Sequence, residues 1–318
     1  MLTIYKWENG GLRETPEFAS SCWVNLVEPS TTELEAVLSY FGTVPRDFLT
    51  DPLDAGERPR FDYEDDASLL IVHVPMIVAL DEEDVESVPY RTIPLGIILF
   101  KESVITVCSA QTPVTSAFLD QIRRVCPPSD TYRFAFRLLW HAGVLFLRYI
   151  NDIHARTSDL EDELHESISN EVLLRLFQIE KIFVYFTTSL KADTIALARA
   201  NTARQLTLSE DDRDYLEDAM VEYQQALETA TIHANILNGT LDTFASLINN
   251  NLNNVMKYLT AATIMLAAPT LIASLYGMNI GLPFQNHAHA FSIVMGISGL
   301  LAIAIGALFF VLSRKRKF

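Results

Sequence analysis

The stretch LYGMNIG, residues 275–281, separates two long apolar segments near the C-terminus. The first segment, 258–276, has no charged side chain, and as a helix it would be about 28 Å long, close to the hydrocarbon thickness of a bilayer. The second segment, 290–312, is longer and also uncharged. The sequence therefore predicts two transmembrane helices, of which the first ends on Tyr-Gly-Met-Asn instead of the usual lysine or arginine.

Charge is divided unequally along the chain. There are 24 Lys and Arg against 40 Asp and Glu, and every acidic residue lies before position 251. An acidic body of this kind argues against a nucleic-acid partner and favours cations. The loop 277–289 between the predicted spans has no Lys or Arg, whereas basic residues flank the spans at their other ends: Lys257, Arg314, Lys315, Arg316 and Lys317.

This distribution predicts that both termini are cytoplasmic, because positively charged segments stay on the cytoplasmic side of a membrane. The basic tail, 313–318, is interpreted as a topology anchor, with binding of anionic lipid or a place at the inner mouth of a pore as alternatives. The first residues lack the pattern of a signal peptide, and the three cysteines show no CxxC spacing. We therefore expect a multi-pass protein of the inner (plasma) membrane with a cytoplasmic body.

The first part of that body, 1–130, has the pattern of an α/β domain. Two runs rich in β-branched residues, 69–80 and 95–109, predict strands, and Lys101-Glu102-Ser103 interrupts the second run as a hairpin turn would. A capping box and a terminating glycine predict one short helix beside the sheet, marked by Ser30, Glu33 and Gly42.

Helical periodicity dominates from residue 131 to the first span. Within the segment 131–209, two helices of roughly 131–166 and 170–204 are expected to form an antiparallel hairpin. A stalk, 210–257, should then continue into the first span, 258–276, as a single helix of about 100 Å. Its apolar residues alternate at spacings of four and three, which defines a seam for packing along the helix: Leu216, Met220, Tyr223, Leu227, Ala230, Ala234, Leu237, Leu241, Phe244 and Ile248.

One face of the first span is small or polar. On a helical wheel an arc of about 100° contains Asn253, Met256, Thr260, Thr263, Ala267, Thr270 and Ser274. Hydroxyl groups in membrane helices often bond to carbonyls of their own helix or join neighbouring helices, so packing is one interpretation of this face. The other is a surface in contact with water. Because one helix cannot enclose water, a pore would need several copies around an axis, which the seam could hold together.

The end of the first span has the chemistry of a weak cation site. A helix that ends at Gly277 leaves its last carbonyls unpaired and directs the negative end of its dipole toward the loop, where no Lys or Arg opposes it. Asn279 adds a neutral amide oxygen, which suits an ion that keeps its water shell. Mg²⁺ dehydrates reluctantly and is the ion that this chemistry favours.

At these residues the sequence resembles the CorA-type magnesium channels, whose signature is GMN at the end of the first of two C-terminal spans. Two N-terminal stretches are also similar to that family, namely CWVNLVEPSTTELEAV and DPLDAGERPRFDYEDDASLLIVHVP. The resemblance implies an α+β membrane protein that assembles as a funnel-shaped homopentamer, with a cytoplasmic α/β domain and one long pore-lining helix per subunit. It also implies uptake of Mg²⁺, with Co²⁺ and Ni²⁺ as further cargo, driven by the membrane potential and gated by cytoplasmic Mg²⁺.

The resemblance assigns roles to individual residues. The selectivity filter would be Gly277, Met278 and Asn279, and the residues of the polar face would line the pore. Met256 and Leu259 match the hydrophobic gate, while Asn253 would form an inner amide ring or, alternatively, part of a polar collar at the membrane interface. Regulatory Mg²⁺ would bind between subunits at Asp218 and an acidic loop that includes Asp81 and Asp84, although acidic residues on a solvated face are also common.

Some features leave the ion open. The magnesium members of the family commonly carry an acidic residue shortly after GMN, and its absence from this loop weakens the assignment to Mg²⁺. His287 and His289 have a spacing that can bind a transition metal, although histidines in a loop are more often only solvated. A ZntB-type zinc transporter is the nearest alternative, and a membrane-tethered sensor or scaffold is the second. No nucleophile elbow, phosphate loop or metal-ligand helix motif indicates an enzyme, so no organic cofactor is expected.

Overall fold

Two compact units make up the structure, Met1–Gly239 and Thr240–Phe318, and one long helix belongs to both. The structure is a computed structural model, and it describes residues 1–64, 66–78, 89–122, 126–166, 169–278, 281–283 and 289–315.

The first unit contains a seven-stranded sheet in the order β2-β1-β3-β7-β6-β5-β4. Neighbouring strands are antiparallel except for the central pair, in which β3 and β7 run parallel. The strands are β1 (Leu2–Glu8), β2 (Gly11–Thr15), β3 (Cys22–Val27), β4 (Arg60–Glu64), β5 (Ala67–Ile77), β6 (Tyr90–Phe100) and β7 (Ser103–Cys108).

The hairpin predicted from the run 95–109 is confirmed. Strands β6 and β7 pair antiparallel, and Lys101, with a φ of 51°, lies in the two-residue connection between them. A positive φ at this position is what a tight hairpin turn requires. The run 69–80 also forms a strand, which ends at Ile77 in the structure.

The first unit also contains short helical elements: α1 (Thr31–Phe41), α2 (Arg46–Thr50), a 3-10 turn at Asp51–Leu53, and α3 (Pro113–Ile122). Residues of α1 and α2 share the hydrophobic core with the strands. The capping box of α1 is confirmed, because the Ser30 hydroxyl accepts from the Glu33 amide at 3.3 Å and the Glu33 carboxylate accepts from the Ser30 amide at 2.8 Å. Gly42 follows the helix as predicted, and its amide donates to the Leu38 carbonyl.

Two long helices, α4 (Thr131–Glu166) and α5 (Asn170–Thr202), pack against each other and against the sheet. Their bounds agree with the expected 131–166 and come within two residues of the expected 170–204. Helix α5 contacts the strands β4, β5 and β6, which gives the sheet a helical layer on one side.

Helix α6 (Glu210–Tyr276) confirms the single long helix predicted from the sequence. Its N-terminus is capped by Ser209, whose hydroxyl accepts from the Asp212 amide at 3.1 Å. In the first unit α6 packs closely on α4 at Gly143, where an added Cβ would lie 2.8 Å from the Glu222 Cβ. Glycine therefore permits an approach that any larger residue would prevent.

The second unit contains the rest of α6 and a second apolar helix, α7 (Ala290–Lys315). Both helices are long and apolar enough to cross a membrane, with mean hydropathy of 1.6 and 2.5 over their most apolar segments. They approach each other at Gly306, where an added Cβ would lie 2.7 Å from the Met265 methyl group.

Candidate functional site: the polar face of helix α6

The membrane part of α6 has one half-buried face and one exposed face. Half-buried positions recur at helical spacing, and one of them, Met265, is the residue that contacts Gly306 of α7: Asn254, Ala261, Met265, Ala268 and Ile272. Every residue of the predicted polar face is exposed, namely Asn253, Met256, Thr260, Thr263, Ala267, Thr270 and Ser274. The polar face is therefore directed away from α7.

The threonine hydroxyls on this face bond to their own helix. Thr260, Thr263 and Thr270 each donate to the carbonyl four residues earlier, at 2.8 Å in all three cases. Hydroxyl groups that bond to their own helix agree with the interpretation of this face as a packing surface. The same hydrogen bonds also fix the direction of each hydroxyl. Because the proton is used by the helix, the lone pairs of the oxygen remain free to accept from water around a cation.

The two residues that match the hydrophobic gate are also exposed in the single chain. Met256 and Leu259 have exposed fractions of 58% and 59%. Large apolar side chains that are uncovered on the polar face or at its edge are suited to meeting copies of themselves around an axis. A constriction of that kind closes by excluding water. Their role as a gate stays a prediction.

The end of α6 differs in one respect from the expectation. The Gly277 amide donates to the carbonyls of Ala273 and Ser274 at 3.0 and 3.2 Å, and the Met278 amide donates to the Leu275 carbonyl at 3.2 Å. The expectation that the last carbonyls are all unpaired was therefore wrong for these three. The negative end of the helix dipole remains directed at the loop, because it depends on the alignment of all the peptide groups.

A side-chain contact that sequence reasoning missed joins the helix end to the loop. The Tyr276 hydroxyl donates to the Pro283 carbonyl at 3.0 Å. An aromatic residue directly before GMN was a visible signal, but its acceptor lies seven residues away in a segment without periodicity. Asn279 lies outside the described residues, so the place of its amide stays a prediction.

Pro269 is a second residue whose effect the sequence did not specify. The helix continues through it, although proline has no N–H to donate to the carbonyl four residues earlier, that of Met265. Both residues lie on the half-buried face. The irregularity is therefore on the side toward α7 and not on the polar face.

The predicted regulatory and outer-loop metal sites are only partly described. Asp218 is exposed on α6, whereas Asp81 and Asp84 lie outside the described residues, as does His287. His289 precedes α7, and its carbonyl accepts from the Ile293 amide at 3.1 Å. In the described part of the chain, no three His, Cys, Asp or Glu side chains form a group that could hold a metal ion.

Comparison with known proteins gives consistent matches over most of the chain. A family model described as "CorA-like Mg2+ transporter protein" matches residues 18–316. The cobalt/magnesium transport protein CorA of Methanocaldococcus jannaschii is 28% identical over 289 residues, covering 86% of this chain and 85% of that protein. The complete structure of the CorA magnesium transporter from the same organism has a TM-score of 0.80 at 24% identity, and it covers 100% of this chain and 98% of that one.

The structural likeness confirms the predicted fold class, with an N-terminal α/β unit, a long helix and an apolar C-terminal helix. The cytoplasmic domain of ZntB from Vibrio parahaemolyticus is more distant. Its TM-score is 0.55 at 13% identity, over 79% of this chain and 98% of that one. This second match is a likeness of fold alone.

Proposed function

Because this chain belongs to the CorA-like Mg²⁺ transporter family, we propose that it takes up Mg²⁺ through a pore lined by the polar face of α6. In this proposal 1–130 and 131–209 are the cytoplasmic α/β and helical parts, and 210–257 is the stalk. The segments 258–276 and 290–312 cross the membrane, 277–289 forms the outer loop, and 313–318 is the basic tail.

The observation that carries the proposal is the direction of the polar face. Amide, hydroxyl and small side chains occupy the side of α6 that α7 leaves uncovered, from Asn253 to Ser274. Lipid is a poor environment for such a surface, because polar groups in hydrocarbon need partners. If several copies of the chain bring these faces together around an axis, the faces would border water instead of lipid.

The chemistry of the face suits a hydrated divalent ion. Neutral oxygens bind the water shell of Mg²⁺ weakly enough to release it, whereas carboxylates would hold the ion longer. Relatives are named cobalt/magnesium transport proteins, so we propose Co²⁺ as further cargo, and Ni²⁺ from the family resemblance. The membrane potential would drive entry, at about 4.6 kcal/mol per 100 mV for a divalent ion.

A homo-oligomer, a pentamer by resemblance, is part of the proposal. The seam predicted on the stalk is largely used within the chain, since Leu216, Tyr223, Ala230 and Leu237 are buried in the single chain. Other apolar residues of α6 remain exposed and would serve contacts between copies: Val221, Ile232, Ile236 and Leu247. This division of surfaces supports self-association along α6.

Gating and orientation complete the proposal. Regulatory Mg²⁺ would bind Asp218 of one subunit together with acidic residues of the next, among them Asp81 and Asp84. Loss of this ion would leave carboxylates that repel each other, and the hydrophobic gate would then open. The absence of Lys and Arg from the outer loop supports cytoplasmic termini in the inner membrane, with surrounding lipid as the other partner.

Uptake by the purified chain in liposomes tests the proposal. We expect Mg²⁺ influx that rises with an inside-negative potential and that Asn279→Ala reduces by at least about tenfold, since that change removes the filter amide. Asn286→Ala is the matched control, because it deletes the same group from the same loop outside the GMN motif. Equal influx in the two variants would overturn the filter assignment.

The same assay separates the alternatives. A scaffold shows no ion flux under any condition, and a zinc transporter moves Zn²⁺ in preference to Mg²⁺. Influx of Mg²⁺, Co²⁺, Ni²⁺ and Zn²⁺ should therefore be compared with and without a pH gradient. We expect Mg²⁺ and Co²⁺ influx that the pH gradient does not drive, and influx of Zn²⁺ alone would contradict the proposal.

A further inference from the structure

Two histidines meet where α6 packs on α4 in the first unit. The rings of His154 on α4 and His233 on α6 are stacked, with centroids 3.9 Å apart and planes 22° from parallel. Phe183 of α5 lies on the same cluster, with its ring centroid 6.1 Å from that of His233. Nδ1 of His233 is buried and has no hydrogen-bond partner among the described residues, whereas His154 is exposed.

The surroundings of the pair contain little that could compensate positive charge. On α4 the residues one turn from His154 are uncharged, namely Ile150, Asn151, Thr157 and Ser158. On α6 the residues one turn from His233 are uncharged as well, namely Thr229, Ala230, Ile236 and Leu237. On α5 the one titratable residue a turn away from Phe183 is Glu180, which is half-buried.

We propose that the stacked His154–His233 pair is a proton-sensitive contact, which holds α6 on α4 while at most one ring is charged and weakens when both are protonated. Two neutral rings stack favourably, and a single imidazolium is still attracted to a neutral ring. Two imidazolium rings at this separation repel each other, and no carboxylate on α4 or α6 lies one turn away to offset the repulsion. The contact therefore has two states that differ by one proton.

The direction of the pH effect follows from the environment of the buried ring. Burial lowers the pKa of His233, and the neighbouring His154 lowers it further. The unfolded chain, with ordinary histidines of pKa about 6.5, thus binds protons more readily than the folded chain. Stability from this contact is complete above about pH 6.5 and is lost as the pH falls below it.

The histidine contact and the polar face of the proposed pore lie on the same helix. Helix α6 carries both His233 and the polar face, and it is continuous between them. If the proposed transport function is correct, cytoplasmic acidification would change the attachment of the helix that lines the pore. The contact between His154 and His233 does not itself depend on that function.

Thermal unfolding of the full chain in detergent tests the contact. Wild type and His154→Phe are compared at pH 7.5 and pH 5.5, since phenylalanine keeps a ring for stacking but cannot be protonated. We expect the acid-induced loss in Tm to be smaller in the variant, by roughly 2–4 °C, because the repulsion between two charged rings is gone. An equal loss in both proteins would overturn the proposal.

A double-mutant cycle makes the result specific to the pair. In a His233→Phe background, His154→Phe should no longer change the acid-induced loss, because its charged partner is already absent. His141→Phe, on the same helix and outside the pair, should have the same effect in both backgrounds. If His154→Phe has equal effects in both backgrounds, the rings do not share a proton-dependent interaction, and the proposal fails. His154→Gln at this exposed position provides the same comparison if the phenylalanine variants do not fold.

Mg²⁺ influx at internal pH 7.5 and 5.5 then separates this inference from the proposed function. No influx at either pH would overturn the transport function and leave the contact to the unfolding data. Influx with a pH dependence that His154→Phe reduces would support both.

Discussion

Asp193 is the residue on which α5, the sheet and α6 converge. It is fully buried, and one of its carboxylate oxygens accepts from the His73 amide at 2.7 Å, while the other has no hydrogen-bond partner among the described residues. Burial raises the pKa of Tyr223, a fully buried residue of α6, and the charge of Asp193 raises it further. Burial raises the pKa of Asp193 well above its ordinary value, and the hydrogen bond from His73 opposes this only in part.

The side chains near Asp193 form a series of hydrogen bonds in which each donor and acceptor can be assigned. Nε2 of His73 lies 2.9 Å from the Glu57 carbonyl, so this nitrogen must carry the proton. Nδ1 then accepts from the Ser189 hydroxyl at 3.1 Å, and Ser189 accepts from Thr92 at 2.7 Å. Burial lowers the pKa of His73, which agrees with a neutral ring in this tautomer. His73, Ser189 and Thr92 therefore tie β5 and β6 to α5 through uncharged side chains.

We predict that Asp193→Asn changes how stability depends on pH. A raised folded pKa gives stability that is complete below the unfolded pKa of about 3.9 and is lost as the pH rises toward the folded value. Asparagine has no such loss, so the variant should gain on wild type by up to about 1.4 kcal/mol per pH unit in that interval. Thermal unfolding of the full chain between pH 5 and pH 8 measures the gain. Asp214→Asn, at an exposed position, is the control, and a constant difference between Asp193→Asn and wild type would contradict the prediction.

At the residue scale, interactions between residues close in sequence could be predicted, whereas interactions between residues far apart in sequence could not. The capping box of Ser30 and Glu33 was visible because its two members lie three residues apart and satisfy each other. The partner of Asp193 is 120 residues away in sequence. No single-sequence pattern identifies such a pair, because burial of the acid depends on three elements that only the fold brings together.

At the scale of elements, the contact between α6 and α7 depends on small residues. Gly306 allows close approach to Met265, and Ser298, two turns earlier on α7, is buried, with 7% of its surface exposed. Helices in a membrane gain little from burying apolar surface against each other, so close packing at small residues is a main source of their association.

Gly306→Ala should therefore destabilise the helix pair. The new methyl group would lie 2.7 Å from the Met265 methyl, the flexible end of that side chain, which must move. We therefore expect a loss of up to about 1 kcal/mol relative to Gly299→Ala, seen as a lower Tm in detergent. Gly299→Ala is the matched control, because an added Cβ there meets no atom within 4 Å. Met265→Ala combined with Gly306→Ala should recover part of the loss. If the two glycine variants are equally stable, the helices do not pack as described.

Periodicity predicted the elements better than their ends or pairings. The long helix, the two helices before it and the β6–β7 hairpin follow from repeated apolar patterns. The parallel pairing of β3 with β7 was not predicted, because it joins segments about 80 residues apart and register is set by the whole sheet. The hydrogen bonds at Gly277 were also missed, since helix ends depend on local turn geometry.

At the scale of the whole molecule, the apolar seam of α6 is covered by the same chain and not by a second copy. Its spacing predicted packing along the helix, and the structure confirms packing for the residues from Leu216 to Leu237. The partner is the same chain, through contacts such as Phe146 with Tyr223. Spacing predicts that a face is covered and does not identify what covers it. The number of subunits therefore stays a prediction from the family.

The proposed regulation predicts an effect of Asp218→Asn on the assembled protein. Removing one carboxylate ligand weakens a Mg²⁺ site between subunits, so we expect the internal Mg²⁺ concentration that half-inhibits influx to rise about tenfold, equivalent to about 1.4 kcal/mol. Influx into liposomes loaded with graded Mg²⁺ concentrations measures this value. Glu217→Gln, an exposed acid on the adjacent side of the helix, is the control, and an equal shift in both variants would indicate general charge instead of a site.

The central pairing of β3 with β7 also bears on synthesis of the chain. The sheet cannot close until residues 103–108 have left the ribosome, since they provide the strand that joins the N-terminal hairpin to the rest. About 150 further residues precede the first apolar segment, and at roughly 5–20 residues per second they take about 8–30 s to translate. The nascent chain therefore has seconds in which to complete the most non-local pairing of the sheet before the first membrane-length apolar segment is translated.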